Sequence, residues 1–205
     1  MPATCRRDGT LPSALRPPTW VLAAAVLAAG LVGCSDDEQP DGPGEADVTY
    51  AASVVAHHAQ TVQLLNLRPS RPSAAVEIGL WVDAARMRRL REVGAMERSL
   101  RSWGEAAPET GLKHSDEGKH IEFDPTIAGV LTDPQIEAVT TENGRRFMRA
   151  WLQALIRHEQ GAVQLAEAEL DAGQDAATVE LAEDDRDAHL AQIARLERIL
   201  ATTQH

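Results

Sequence analysis

The chain has 205 residues, the length of one domain with an attached segment, and 43% apolar against 25% charged residues is enough for a packed core. Only 3% of residues are aromatic, and long Ala- and Leu-rich runs lack Gly and Pro, which favours aliphatic helices over an aromatic-rich β-sandwich. The formal net charge of −11 excludes the basic face that a nucleic-acid partner requires, and two cysteines cannot staple a scaffold.

In chain order, Arg6, Arg7 and Arg16 form a basic leader ahead of the apolar run Trp20 to Gly33. That run is too short to span a bilayer and has the length of the apolar region of a secretory signal. It closes on Leu31-Val32-Gly33-Cys34, which resembles the bacterial lipobox, where small residues before Cys let the thiol be acylated and the leader removed. Residues 1–33 therefore read as a lipoprotein signal peptide and Cys34 as the lipidation site, carrying acyl chains such as palmitate. Three arginines and Asp8 leave with the leader, so 17 basic and 30 acidic residues remain, a net −13. A body that acidic gains nothing from anionic lipid, so the lipid on Cys34 must hold the protein at the extracytoplasmic face of the envelope. Residues 34–46 are polar, with two prolines and two glycines after Cys34, and read as a flexible tether.

From residue 47 onward the periodicity is helical, and residues 47–205 read as one bundle domain. Val48, Ala52, Val55, Ala59, Val62 and Leu65 mark a first helix, with Asp47 as its expected N-cap and an end before Arg68-Pro-Ser-Arg-Pro-Ser73. A second helix is expected over Ala74 to Trp103, with Val82, Leu90, Val93, Met96 and Leu100 as its stripe. Gly104 to Asp133 is a long Gly-, Pro- and charge-rich connection, and a loop of that length is usually functional or mobile. Thr132-Asp133-Pro134 opens a short helix through Asn143. Arg145 to Ala172 makes a third long helix, closed by Gly173, and Ala176 to Ala201 a fourth.

The halves repeat one plan. His57-x4-Val62-Gln63-Leu64 returns as His158-x4-Val163-Gln164-Leu165 at an offset of 101, and Arg86, Leu90, Glu97, Arg98 and Leu100 return as Arg186, Leu190, Glu197, Arg198 and Leu200 at an offset of 100. Two duplicated hairpins, neither able to bury its own apolar face, predict an all-α four-helix bundle with a long crossover and a short extra helix.

Val54-Val-Ala-His57-His58-Ala-Gln-Thr-Val62 and Leu155-Ile-Arg-His158-Glu159-Gln-Gly161-Ala162-Val163 together resemble the paired signature of the bacterial family called domain of unknown function 305. The resemblance covers about Asp47 to Leu200 and implies a ferritin-like bundle that is often secreted or lipidated, with some relatives tied to copper. The chain departs from the family where His158 is followed by Glu159 rather than a second His. Val54, Leu64, Leu155 and Leu165 also stand where Met often occurs, which argues against a methionine-based Cu(I) site.

His57 and His158 each follow an aliphatic stripe residue by three positions, so both are expected to face the interior and to meet across the pseudo-two-fold axis. His58, Glu159 and His189 are the expected neighbours, and this His/carboxylate set (His57, His58, His158, Glu159, His189) suits Cu(II) or Zn(II). The same residues read equally as buried, hydrogen-bonded polar groups that set helix register. His114 and His120, with Asp116 and Glu117 between them, are a second, weaker candidate in the long connection. The one Glu-x-x-His, Glu117 to His120, lies in that loop rather than on a helix, so a di-iron oxidase is not indicated. No nucleophile set or phosphate loop is present either, and the chain reads as a non-enzyme. Two functions stay open: an envelope-anchored protein that binds a metal ion, and a non-catalytic envelope interaction module with structural histidines. A homo-oligomer is compatible with both.

Overall fold

A computed structural model describes residues 42–67, 75–113 and 121–203 of the chain. The leader, Cys34, most of the tether and the loop cluster of His114, Asp116, Glu117 and His120 lie outside the described residues. Five helices follow in order: α1 (Glu45–Asn66), α2 (Ala75–Ser102), α3 (Asp133–Thr140), α4 (Gly144–Ala172) and α5 (Ala176–Thr202). No strand occurs among the described residues. α1 packs on α2 and α4 on α5, giving the two expected hairpins, and α1 against α4 joins the halves.

Three local details differ from the sequence expectation. α1 begins earlier, capped by Gly44, and Asp47 sits in the first turn rather than at the cap. Its carboxylate is more useful there. It accepts from the Gly44 N–H at 2.6 Å and also from the backbone N–H groups of Gln174 and Asp175, so it ties the start of α1 to the α4–α5 turn. Gly173 does end α4, but with φ −65 it is not a left-handed cap. Glycine is needed because a β-carbon would lie 2.7 Å from both the Glu169 carbonyl and Val179. The short helix ends at Thr140, and the Gly144 that opens α4 takes a positive φ of 54°.

Along every long helix the interior alternates in the same way. One apolar cluster gathers Leu64, Leu65, Trp81, Val82, Trp151, Leu152, Leu155, Ile193 and Leu196. A second gathers Tyr50, Val54, Val55, Val93, Met96, Leu100, Ala166 and Ala182. Between them each helix contributes buried polar side chains: His57 and His58 from α1, Arg89 from α2, His158 and Glu159 from α4, His189 from α5. The bundle is thus two aliphatic cores with a polar layer at mid-height. Placing ionisable groups there carries a desolvation cost that apolar residues would avoid, so the layer has to be closely paired to persist.

The crossover closes over this layer. Phe123 and Val130 pack on Ala56 and Ala59 of α1. The Gln60 side chain behaves like a strand neighbour, donating to the Leu131 carbonyl and accepting from the Leu131 N–H, both at 2.7 Å. Residues 121–132 are therefore fixed to the bundle wall by local pairing that a Gly- and Pro-rich composition does not announce.

Candidate metal centre

The repeat brings His57 and His158 together, stacked with ring centroids 3.7 Å apart and planes 10° apart. Their nitrogens point elsewhere. His57 Nε2 donates to the His158 carbonyl at 2.9 Å. His158 Nδ1 donates to the Gly129 carbonyl at 2.8 Å, which leaves Nε2 of the neutral ring to accept from the Thr61 hydroxyl at 2.9 Å. Burial lowers the pKa of both rings, and for His57 the neighbouring His158 adds to it, so both are neutral. Three of the four ring nitrogens are thus spent on backbone carbonyls and a hydroxyl, and this pair locks α1, α4 and the crossover to one another.

The other histidines form a different figure. His58 Nε2 and His189 Nε2 face each other at 3.5 Å. Behind His189, Nδ1 donates to Glu159 Oε2 at 2.5 Å. Behind His58, Nδ1 lies 3.4 Å from Glu92 Oε2, an electrostatic contact without hydrogen-bond alignment. The result is a line, Glu92–His58–His189–Glu159, with a carboxylate at each outer nitrogen and two inner nitrogens opposed. At His189 the Glu159 hydrogen bond fixes the ring tautomer with the Nε2 lone pair inward, and at His58 the Arg89 guanidinium 3.3 Å from Nε2 favours the same tautomer. His58 is held neutral, first by burial and then by the charge of Arg89.

Arg89 runs beside the whole line. Nη1 donates to Glu92 Oε2 at 2.8 Å and sits 3.3 Å from His58 Nε2. Nη2 lies 3.3 Å from Glu159 Oε2 and 3.1 Å from His189 Nδ1, two donors converging on one carboxylate oxygen. Burial alone would raise the Glu159 carboxyl, but the Arg89 guanidinium and the His189 hydrogen bond override it and hold it down at about 2. Burial likewise opposes the charge on Arg89, and Glu159 and Glu92 restore it. Tyr50 donates to Asp185 at 2.9 Å one helical turn from His189 on α5. A part-enclosed cavity of about 190 Å³, lined by Thr61, Trp81, Arg88, Arg89, Glu159 and Gln192, reaches this guanidinium–carboxylate pair.

Of the sequence candidates, His58, Glu159 and His189 meet in one cluster, while His57 and His158 meet in an adjacent pair. Arg89 and Glu92 were not foreseen. An arginine in a helix rich in arginine reads as solvent-facing, since Arg is rarely fully buried unless paired. The repeat holds the signal nonetheless. At the offset of 100, Arg89 corresponds to His189, and at 101 His58 corresponds to Glu159. Of the residues at equivalent positions, the first half supplies His58 and Arg89 and the second His189 and Glu159, and these pair crosswise, with Glu92 added from the first half.

Among proteins of curated function none matches the chain significantly. Similar solved structures include a candidate secreted protein of the domain of unknown function 305 family from Streptomyces coelicolor, with 18% identity, TM-score 0.63, and coverage of 78% of this chain and 94% of that one. A fragment from Deinococcus radiodurans in the same family has 20% identity and TM-score 0.62, covering 78% and 99%. CopM in its Cu(I)-bound form has 16% identity and TM-score 0.56, covering 76% and 96%, and its Cu(II)-bound form is similar to this chain to the same degree. At these identities the likeness concerns the fold. The model of the family catalogued as domain of unknown function 305 matches residues 47–200, three-quarters of the chain, and the protein belongs to that family.

Proposed function

We propose that the protein is an exported, non-enzymatic bundle, anchored through lipid on Cys34, that binds one copper or zinc ion between His58 and His189. The observation that carries the reading is the pair of opposed, buried imidazole nitrogens 3.5 Å apart, with a carboxylate hydrogen-bonded to the far nitrogen of His189 and another beside that of His58. Metal–imidazole bonds are about 2.0–2.1 Å, so two nitrogens at that separation lie within reach of one ion; among the described residues no third His, Cys, Asp or Glu donor joins them, and the remaining positions fall to water. The donor set fits a borderline metal better than a hard one, since neither inner donor is an oxygen. Glu159 accepts from the outer nitrogen of His189 and Glu92 lies beside that of His58, so both act as supports rather than ligands. Copper-bound CopM shares the fold, which supports the same class of ion. No helix among the described residues is long and apolar enough to cross a membrane.

Titration of the purified full-length protein with Cu(II) and Zn(II) tests the site. One equivalent should bind to the wild type, and both His58→Ala and His189→Ala should lose it while keeping their helical circular dichroism. If only His114→Ala or His120→Ala removes binding, the loop holds the metal and the bundle does not. Cys34→Ala should leave the folded protein outside the membrane fraction. Membrane retention of that variant, folded and with its leader cleaved, would defeat the anchor.

A second reading applies to His57 and His158 alone. Three of their four nitrogens are engaged by the Gly129 and His158 carbonyls and Thr61, and the fourth, His57 Nδ1, is buried without a hydrogen-bond partner, so the pair holds the helices in register and offers an ion a single donor.

A further inference from the structure

A permanent cation stands 3.3 Å from one of the proposed ligand atoms. Arg89 is 5% exposed and bridges Glu92, Glu159 and both imidazoles, so it is neither a surface residue nor an incidental neighbour. The charges around it do not balance. Two carboxylates, Glu92 and Glu159, flank the line, while a single buried guanidinium answers them. Arg88 reaches Glu92 at 2.6 Å, but from a half-exposed position where screening weakens it. A divalent cation would answer both carboxylates.

We propose that Arg89 is a resident cation that competes with the metal for the His58–His189 pair, so that metal uptake is an exchange. The inference rests on the metal-binding reading above and concerns how that site is regulated. On uptake the guanidinium leaves the imidazole nitrogens for the adjoining cavity of about 190 Å³, which its own side chain and that of Arg88 already line. It keeps a partner there, because Glu92 lies three residues along the same helix, with Arg88 beside it. With no metal bound, Arg89 answers the buried Glu159, which would otherwise stand as an uncompensated carboxylate, and shares the part-exposed Glu92 with Arg88. The protein is therefore stable when empty and binds more weakly than its two histidines alone would allow. A repulsive unit charge within several Å of the ion, at a partly buried site, is worth at least about a tenfold loss of affinity.

The test is Zn(II) calorimetry, with Co(II) visible absorption as a second readout, on full-length wild type, Arg89→Gln, Glu159→Gln and the double variant Arg89→Gln/Glu159→Gln. The double variant removes both members of the buried ion pair, so it remains informative if the single variant folds poorly. Arg89→Gln should bind at least about tenfold tighter than wild type, with Co(II) bands at lower metal concentration, and the double variant, which also loses the carboxylate that supports His189, should bind tighter than Glu159→Gln alone. Adding His58→Ala to either should abolish the gain. Equal affinity in wild type and a folded Arg89 variant would overturn the exchange while leaving the metal site intact. Absence of binding in all of them would overturn the metal site itself.

Discussion

A β-carbon on Gly161 would collide with the backbone of Gly129, and one on Gly129 would lie 2.6 Å from the His158 carbonyl. The crossover here rests directly on α4, and Gly129 holds a φ of 79° to make the approach. This contact brings the Gly129 carbonyl within reach of His158 Nδ1, so two glycines underwrite the orientation of a histidine. In an exposed helix, Gly→Ala stabilises by roughly 0.5–1 kcal/mol. At position 161 the sign reverses. Gly161→Ala should destabilise by about 3 kcal/mol, as overpacking of a closed contact does, and the loss should appear as a lower denaturant midpoint with an unchanged slope. A neutral or stabilising result would show that the crossover can lift away from α4. At this scale the histidines were legible because each follows an apolar stripe by one turn. Arg89 was not, because nothing local distinguishes it from Arg88 or Arg91, of which the structure buries neither.

The helices were legible for physical reasons that act locally. Prolines at 69 and 72 end α1, Thr132 caps α3 with Pro134 in its first turn, and Asp175 caps α5 by accepting from the Thr178 N–H at 2.9 Å. Where the reading missed, the decisive partner was distant in sequence. Asp47 looks like a cap for its own helix, yet two of its three backbone partners lie more than 120 residues away. Gly173 looks like a left-handed stop, yet its constraint is the approach of Val179 from the next helix. The crossover reads as loose from its glycines and prolines, yet Gln60 pairs with the Leu131 backbone like a strand. Composition reports what a segment can do alone, and these three positions are set by what packs against them.

At the scale of the molecule, the repeat made the hairpin pairing legible, and the crosswise pairing of the polar layer follows from the same two offsets. The charge of the whole chain conceals a separate feature at the other end of the bundle, where α1 begins and α4 turns into α5. Glu169 is 1% exposed, its carboxyl oxygens have no hydrogen-bond partner, and the buried Asp47 is the neighbouring carboxylate that acts on it. Burial first, then Asp47 and Asp175, raise its carboxyl from 4.5 to about 8, whereas backbone N–H groups and Glu169 itself keep Asp47 below its ordinary value. One proton therefore serves two carboxyl groups, with Asp47 charged and Glu169 neutral. The unfolded chain releases that proton near 4.5 and the folded chain near 8, so between these values the native state binds more protons. Stability from this contact is then complete below about pH 4.5 and declines as pH rises through 8. Glu169→Gln carries the neutral form permanently. In thermal unfolding at pH 5, 7 and 9, the wild type should lose melting temperature relative to Glu169→Gln as pH rises, the two converging at pH 5. Parallel profiles across that range would mean that Glu169 is already ionised in the native state and that Asp47 is held by the Gly44, Gln174 and Asp175 backbone alone.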